Sequence, residues 1–466
     1  MTLWTASEAA AATGGAPQGG WEASGVAIDS RTISAGDLFV AVAGPNHDGH
    51  CFVGQALEGG AAAAMVSREC GRDVPSLQVP DTRAGLYALA RAARARSTAR
   101  IAAITGSVGK TGTKELLAGA LGRCGPTHAS AGNLNNHIGV PLSLARLPQG
   151  ARFGVFEAGM NHPGEIAPLS RLVRPHTALI TTIAPAHTEA FSGLDAVADA
   201  KAEIFQGIEP GGTAILNRDN AYFDRLAAAA RAAGVSRIVS FGEAEGAEAR
   251  LLAWRPAAAG GTVTAAIEGT ALNYEIAFAG RHWALNSVAV LAAARAAGAP
   301  LERAARALGS VAPVPGRGVR HRIPVAGGLF ELVDESYNAS PAAVRAAIAT
   351  LAETAPPAPG GRRLAVLGDM LELGEAAARW HAELAGDIDA AGIDLVFTAG
   401  PLMTHLHDAL EPTRRGAHAP DSESLADIVR AEIRAGDVVL VKGSLGSRMG
   451  QIVRRLAAGA APANRP

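Results

Sequence analysis

A chain of 466 residues is long enough for about three domains at ~150 residues each. Its 48% hydrophobic and 18% charged content excludes a globally disordered chain. A formal net charge of −1 argues against an electrostatically driven nucleic-acid or membrane-surface binder, but leaves open small anions held by backbone N–H groups. Three cysteines, Cys51, Cys70 and Cys124, are too scattered for a disulfide framework or a Cys-rich zinc site and read as free thiols in a reducing compartment. The start of the chain lacks the basic and apolar regions of a signal peptide, and the apolar runs are short or interrupted. A cytoplasmic protein without nucleic-acid partners or membrane insertion is expected.

In chain order, short apolar runs close on Gly, Asn, Asp or Thr and lead into Ala-rich helical stretches, the pattern of βα units around parallel sheets. An Ala- and Arg-rich helix is expected over residues 84–100, leading into a strand at 100–105. Further strands are expected at 152–157, 177–183, 213–217, 363–368, 394–398 and 437–442. Pro313, Pro315, Gly316 and Gly318 punctuate residues 311–320 and mark a boundary. The expected domains are therefore 1–98, 99–315 and 316–466, with residues 356–361 as a Pro/Gly loop inside the third.

The strongest local signal is Ile104-Thr105-Gly106-Ser107-Val108-Gly109-Lys110-Thr111, an apolar strand entering a glycine loop and then a helix. In such a loop backbone N–H groups surround phosphate oxygens, Lys reaches the terminal phosphates and Thr ligates Mg²⁺. The spacing departs from the full Walker form, whose first glycine would fall at Ile104. Beyond the loop, Glu157 closes one expected strand, His187 and Glu189 follow another, and Lys201 lies on the next helix. Strand ends are where open α/β sheets bind ligands, and a carboxylate with a neutral imidazole could complete a Mg²⁺ shell. By sequence pattern alone Lys201 reads as an exposed helix lysine.

These residues resemble the Mur ligase family along nearly the whole chain. Gly106-Ser107-Val108-Gly109-Lys110-Thr111 resembles its shortened phosphate loop, and Asn133-Leu134-Asn135-Asn136-His137-Ile138-Gly139-Val140-Pro141 resembles the segment that follows in the members adding D-alanyl-D-alanine. The resemblance implies that Glu157 and His187 are metal-linked, and that Lys201 is the lysine carbamylated by CO₂ in this family. It places Asn286 near adenine and makes Arg317 a hinge arginine approaching the nucleotide. In the third domain, Asp334-Glu335-Ser336-Tyr337-Asn338-Ala339-Ser340-Pro341, Gly368-Asp369-Met370-Leu371-Glu372-Leu373-Gly374 and Val441-Lys442-Gly443-Ser444 are similar to segments of the dipeptide-adding members. Asp334 is thereby assigned to the ATP site, and Tyr337 and Asn338 to substrate. In the first domain, Ser30 and Arg31 become candidates for uridine or pyrophosphate contact, since Arg matches phosphate geometry. The chain departs from the family pattern at Gly112, where Thr is usual, at Trp283, where Asn is frequent, and at Ser340 and Leu445, where Asn and Arg are common.

The resemblance implies an α/β fold of three domains: a small N-terminal α/β domain binding UDP, a central parallel-sheet ATPase domain with the phosphate loop, and a Rossmann-like C-terminal α/β domain. It also implies ATP-dependent ligation of D-Ala-D-Ala to UDP-MurNAc-tripeptide through an acyl phosphate. ATP, two Mg²⁺ ions and a carbamylated Lys201 are the expected cofactors, in a monomer. Two alternatives stay open in the sequence: a sister amide ligase of the same superfamily, and a P-loop NTPase without ligase chemistry.

Overall fold

The computed structural model describes residues 2–44, 47–71, 74–185, 189, 191–257 and 260–458. The first sheet has parallel strands Gly25–Ala27, Asp37–Val40, Ala63–Val66 and Ser76–Gln78, with Ala16–Gln18 added antiparallel at one edge. The helix Thr82–Arg96 follows, started by Asp81, whose carboxylate accepts from Ala84 N–H at 2.7 Å. Its apolar residues recur at helical spacing. Leu86, Leu89 and Ala93 enter the core of the first domain, while Ala90 enters that of the second, so the helix is shared between them.

The central sheet runs, in spatial order, through Thr127–Ala129, Phe153–Glu157, Arg100–Thr105, Thr177–Ile180, Thr213–Asn217, Arg237–Gly242, Ala249–Pro256, Gly261–Ile267 and Thr270–Ile276. It is parallel as far as Ala249–Pro256, and the last two strands are antiparallel additions to the expected parallel sheet. Arg100–Thr105 shows why its sequence is an unbroken apolar run: Ile101 and Ala103 face one core, Ala102 and Ile104 the other. Helices Lys110–Gly122 and Arg281–Ala296 cover one face; Ile166–Val173 and Leu194–Ala202 cover the other.

In the third domain the order is Val319–Val325, Gly328–Glu335, Val438–Lys442, Arg363–Gly368, Leu395–Ala399 and Arg415–Ala419. Only the hairpin of the first two is antiparallel. The last strand of the chain inserts beside Gly328–Glu335, so Lys442 is level with Glu335 at the C-terminal strand ends. Among the described residues no helix is long and apolar enough to cross a membrane.

The strand feeding the phosphate loop is anchored by His176, whose Nδ1 accepts from Ile101 N–H at 3.0 Å. Burial, aided by Arg100 and Arg94, pushes its pKa from 6.5 to about 4. Because the folded value is depressed, the unfolded chain binds more protons between about pH 4 and 6.5. This contribution to stability is complete above the unfolded pKa and is lost as pH falls towards 4. His176→Gln keeps an acceptor that does not titrate. Urea midpoints compared at about pH 7 and about pH 5 should fall further for the native chain than for this variant; equal falls would contradict the assignment.

Candidate active site

At the centre of the middle sheet the chain leaves strand Arg100–Thr105 and turns through Gly106 and Gly109 before helix Lys110–Gly122 begins. Both glycines have positive φ, 148° and 85°. A Cβ at Gly106 would strike the Thr181 hydroxyl, and one at Gly109 would sit 3.1 Å from Asn286 Nδ2. The loop is braced from the neighbouring strand end: Ser107 N–H donates to Thr182 O at 2.9 Å, and Ala184 N–H donates to Ser107 Oγ at 3.0 Å. This leaves the N-terminus of a long helix open to an anion. Lys110 Nζ folds back on Gly106 O at 2.8 Å.

The loop opens into a cleft of about 370 Å³ between the second and third domains, a size suited to a small organic ligand. Ser107, Val108, Gly109, Lys110, Thr111, Glu157 and Asn286 line one side. Arg317, Tyr337 and Asn338 line the other. The Arg317 guanidinium lies over the Tyr337 ring, 4.1 Å from its centroid. Lys442 donates to Glu335 Oε2 at 3.2 Å and to Asn338 O at 3.0 Å.

Charged side chains of both signs line the cleft. Burial lowers the pKa of Lys110, opposed by nearby Glu157 and assisted by Arg317. Lys201 is 2% exposed, and burial followed by the charge of Lys110 drives its pKa well below the lysine range. His282 is pushed from 6.5 to about 4, chiefly by burial, with Glu335 opposing and Lys442 assisting, and is neutral at neutral pH. On the phosphate-loop side, Lys110 and Arg317 thus meet the buried carboxylate of Glu157, while Lys442 is paired with Glu335. Lys201 does not line the cleft but lies close enough for the Lys110 charge to act on it.

Glu157 itself is 1% exposed. One of its oxygens accepts from Asn135 Nδ2 at 2.7 Å, and the other, Oε2, is buried without a hydrogen-bond partner. An orphaned carboxylate oxygen beside a phosphate loop fits a divalent cation. Among the described residues no group of three or more His, Cys, Asp or Glu could hold a metal. Mg²⁺ takes one or two protein carboxylates and completes its shell with phosphate and water, so a single free carboxylate oxygen beside a phosphate loop suits it. Thr111 lines the same cleft; His187 lies outside the described residues.

Not every expected residue reaches the cleft. Asp334 does not line it: its Oδ2 accepts from Gly316 N–H at 3.0 Å and its Oδ1 from the Ser336 hydroxyl at 2.6 Å, which fixes the turn carrying Arg317. Ser30 and Arg31 lie on a surface turn of the first domain, away from the cleft, with Arg31 paired in bidentate fashion to Asp29. His282 and Lys442 line the cleft without having been assigned a role from sequence. The signals for Lys442 were its place at the end of the last apolar strand and the resemblance of Val441-Lys442-Gly443-Ser444 to the family's segment.

Known proteins show the same organisation. The Mur ligase family, catalytic domain model matches residues 22–94, the Mur ligase middle domain 104–294, and the Mur ligase, glutamate ligase domain 321–445. UDP-N-acetylmuramoyl-tripeptide--D-alanyl-D-alanine ligase of Escherichia coli (strain K12) is 37% identical over 433 residues, covering 92% of this chain and 93% of that protein. The chain belongs to the Mur ligase family. A crystal structure of MurF from Acinetobacter baumannii superposes with a TM-score of 0.84 at 31% identity, covering 98% of this chain and 99% of that one. MurF ligase of Thermotoga maritima, solved in complex with ADP, gives 0.77 at 27% identity over 93% and 97% of the two chains.

Within this Mur ligase, two departures from the family pattern touch each other. A Cβ at Gly112 would run into the six-membered ring of Trp283, which also packs on Phe278 with centroids 4.3 Å apart. Glycine in the first turn of the phosphate-loop helix makes the space that the indole fills. Gly112→Thr alone should therefore destabilise the fold by about 1–3 kcal/mol through overpacking. Adding Trp283→Asn should recover part of that loss, and strict additivity of the two changes in urea unfolding would show that the positions are independent.

Proposed function

We infer that this chain is the ATP-dependent ligase that joins D-alanyl-D-alanine to UDP-MurNAc-tripeptide in the synthesis of peptidoglycan precursor. The observation that carries this reading is the facing of the phosphate loop against Arg317, Tyr337, Asn338 and Lys442 across one cleft. It occurs in a chain that aligns over nearly its whole length with a ligase of that name. The reaction takes place in the cytoplasm, on a monomer.

A carboxylate oxygen is a poor leaving group, so an amine cannot displace it directly. In the first step a terminal carboxylate oxygen of the tripeptide bonds to the γ-phosphorus of ATP, the bond to the β-phosphate oxygen breaks, and ADP departs. The amine of the dipeptide then attacks the acyl carbon, loses a proton, and expels inorganic phosphate. The residues act by holding and neutralising charge. Backbone N–H groups of Val108, Gly109, Lys110 and Thr111, at the N-terminus of the helix, receive the phosphates, while Lys110 swings from Gly106 O to the terminal phosphate. Arg317 closes on the same phosphates when the domains approach and water is excluded. Asn286, held against Gly109, lies on the adenine side, and Asp334 serves the nucleotide indirectly by fixing the Gly316 turn. Tyr337 and Asn338 contact the peptide substrate, and Ser30 and Arg31 the uridine diphosphate end.

Thr111, Glu157, His187 and Lys201 would hold two Mg²⁺ ions, whose chemistry is to neutralise phosphate oxygens. Lys201 fits this set as a carbamate. Burial and the charge of Lys110 favour the neutral amine, the form that attacks CO₂, forming an N–C bond and releasing one proton. The resulting anion offsets the neighbouring Lys110 charge.

Phosphate release from ATP should require both UDP-MurNAc-tripeptide and D-Ala-D-Ala, and mass analysis should find the pentapeptide. Lys110→Ala should lower kcat by about 10²-fold or more, the scale of losing one charge-stabilising donor. Release without the dipeptide would instead indicate a plain NTPase.

A further inference from the structure

Lys114 takes no part in the chemistry above, yet it is one of the most completely buried side chains in the molecule, at 0% exposure. It lies on the phosphate-loop helix Lys110–Gly122, one turn beyond Lys110. Its ammonium donates to Ser130 O at 2.6 Å and to Gly132 O at 2.9 Å, and pairs with Glu115 Oε1 at 2.7 Å. An ammonium has three protons, and these three acceptors use all of them. A buried charge satisfied in this way is costly to displace, so the two carbonyls it grips are fixed relative to the helix.

Those carbonyls lie where the chain leaves the edge strand Thr127–Ala129 and crosses the end of Phe153–Glu157. Ser130 N–H is itself bonded to Val155 O at 3.0 Å, and Gly159 N–H to Asn135 O at 2.8 Å. The crossing segment thus delivers Asn135 to Glu157 Oε1. An ionised carboxylate only accepts, so Asn135 must present its NH₂ group. The backbone at Gly159 leaves no room for a Cβ, which would be 2.9 Å from the Asn135 side chain. With Oε1 engaged and the carboxylate packed, Oε2 has one direction to face and no partner there.

We propose that Lys114 and Asn135 are positioning residues for a divalent cation: Lys114 clamps the segment 130–132 to the phosphate-loop helix, and Asn135 then fixes Glu157 so that Oε2 is presented to the ion. Neither residue touches the ion. The inference rests on Glu157 being a cation ligand, as given under the function above. It extends that reading by coupling the ligand's orientation to the same helix that binds phosphate, so that cation and phosphate sites are set at a fixed separation.

The test is calorimetric binding of ADP to the full chain with and without Mg²⁺, which reads the gain in affinity that the cation supplies, independently of turnover. Electron paramagnetic resonance of Mn²⁺ with ADP gives a second reading of the same ion. Asn135→Ala and Lys114→Met should each cut the Mg²⁺-dependent gain by about 10-fold or more, the scale seen when groups behind a metal ligand are removed. Affinity for ADP without Mg²⁺ should stay near that of the native chain, which a misfolded site would not preserve. Lys114→Met strands two buried carbonyls; if it does not fold, Asn135→Ala alone decides. If Glu157→Gln abolishes the gain while Asn135→Ala leaves it intact, the positioning role is wrong and the ligand assignment stands. If Glu157→Gln also leaves the gain intact, the ligand assignment itself fails and the positioning proposal with it.

Discussion

The structure depends on a cluster of charges gathered in a poorly solvated place. Lys110 feels the charges of both Glu157 and Arg317 where the central and C-terminal domains meet, and its own charge acts on the buried Lys201. Like charges in a poorly solvated cleft repel strongly, and burial has already lowered the proton affinity of both lysines. A ligand with several negative charges would remove that penalty. Asp334 spends both carboxylate oxygens on Gly316 and Ser336, which fixes where Arg317 enters.

The fold holds this charge cluster in register. The phosphate loop sits at the end of a central strand buried on both faces, so its backbone cannot drift without disturbing two cores. Glu157 is on the adjacent strand, level with Ile104, one residue before the strand turns into the loop. In the third domain, the late return of Val438–Lys442 beside Gly328–Glu335 brings Lys442 to Glu335 and Asn338 from a distant part of the chain. Both sheets present the C-terminal ends of their strands to the same cleft, the usual place for a ligand in open α/β sheets.

What was legible in the sequence was local. The phosphate loop could be read because two glycines, a lysine and a threonine between an apolar run and a helix have few other uses. Strand 100–105 and strand 213–217 fell where their apolar runs placed them. The antiparallel strands Gly261–Ile267 and Thr270–Ile276 were not singled out, although the first alternates buried and half-buried residues along its length. Contacts across the chain were not legible. Lys201 reads as a surface lysine because nothing nearby in sequence reveals that the helix packs that face inward; only the family resemblance gave it a role, and the structure finds it buried. Asp334 was expected beside ATP, but its partners are the turn it staples. Gly112 and Trp283 looked like two unrelated departures, and packing shows them to be one.

The central claim is that the cleft is built for a chain of phosphates before it is built for a base. The most direct measurement is the affinity of the full chain for AMP, ADP and a non-hydrolysable ATP analogue, taken by calorimetry at one fixed salt and Mg²⁺ concentration. The account predicts tighter binding with each added phosphate, by about 10-fold or more from AMP to the triphosphate, which corresponds to about 1.4 kcal/mol or more. Equal affinity for all three would mean that the cationic cluster does not meet the phosphates, and would contradict the account.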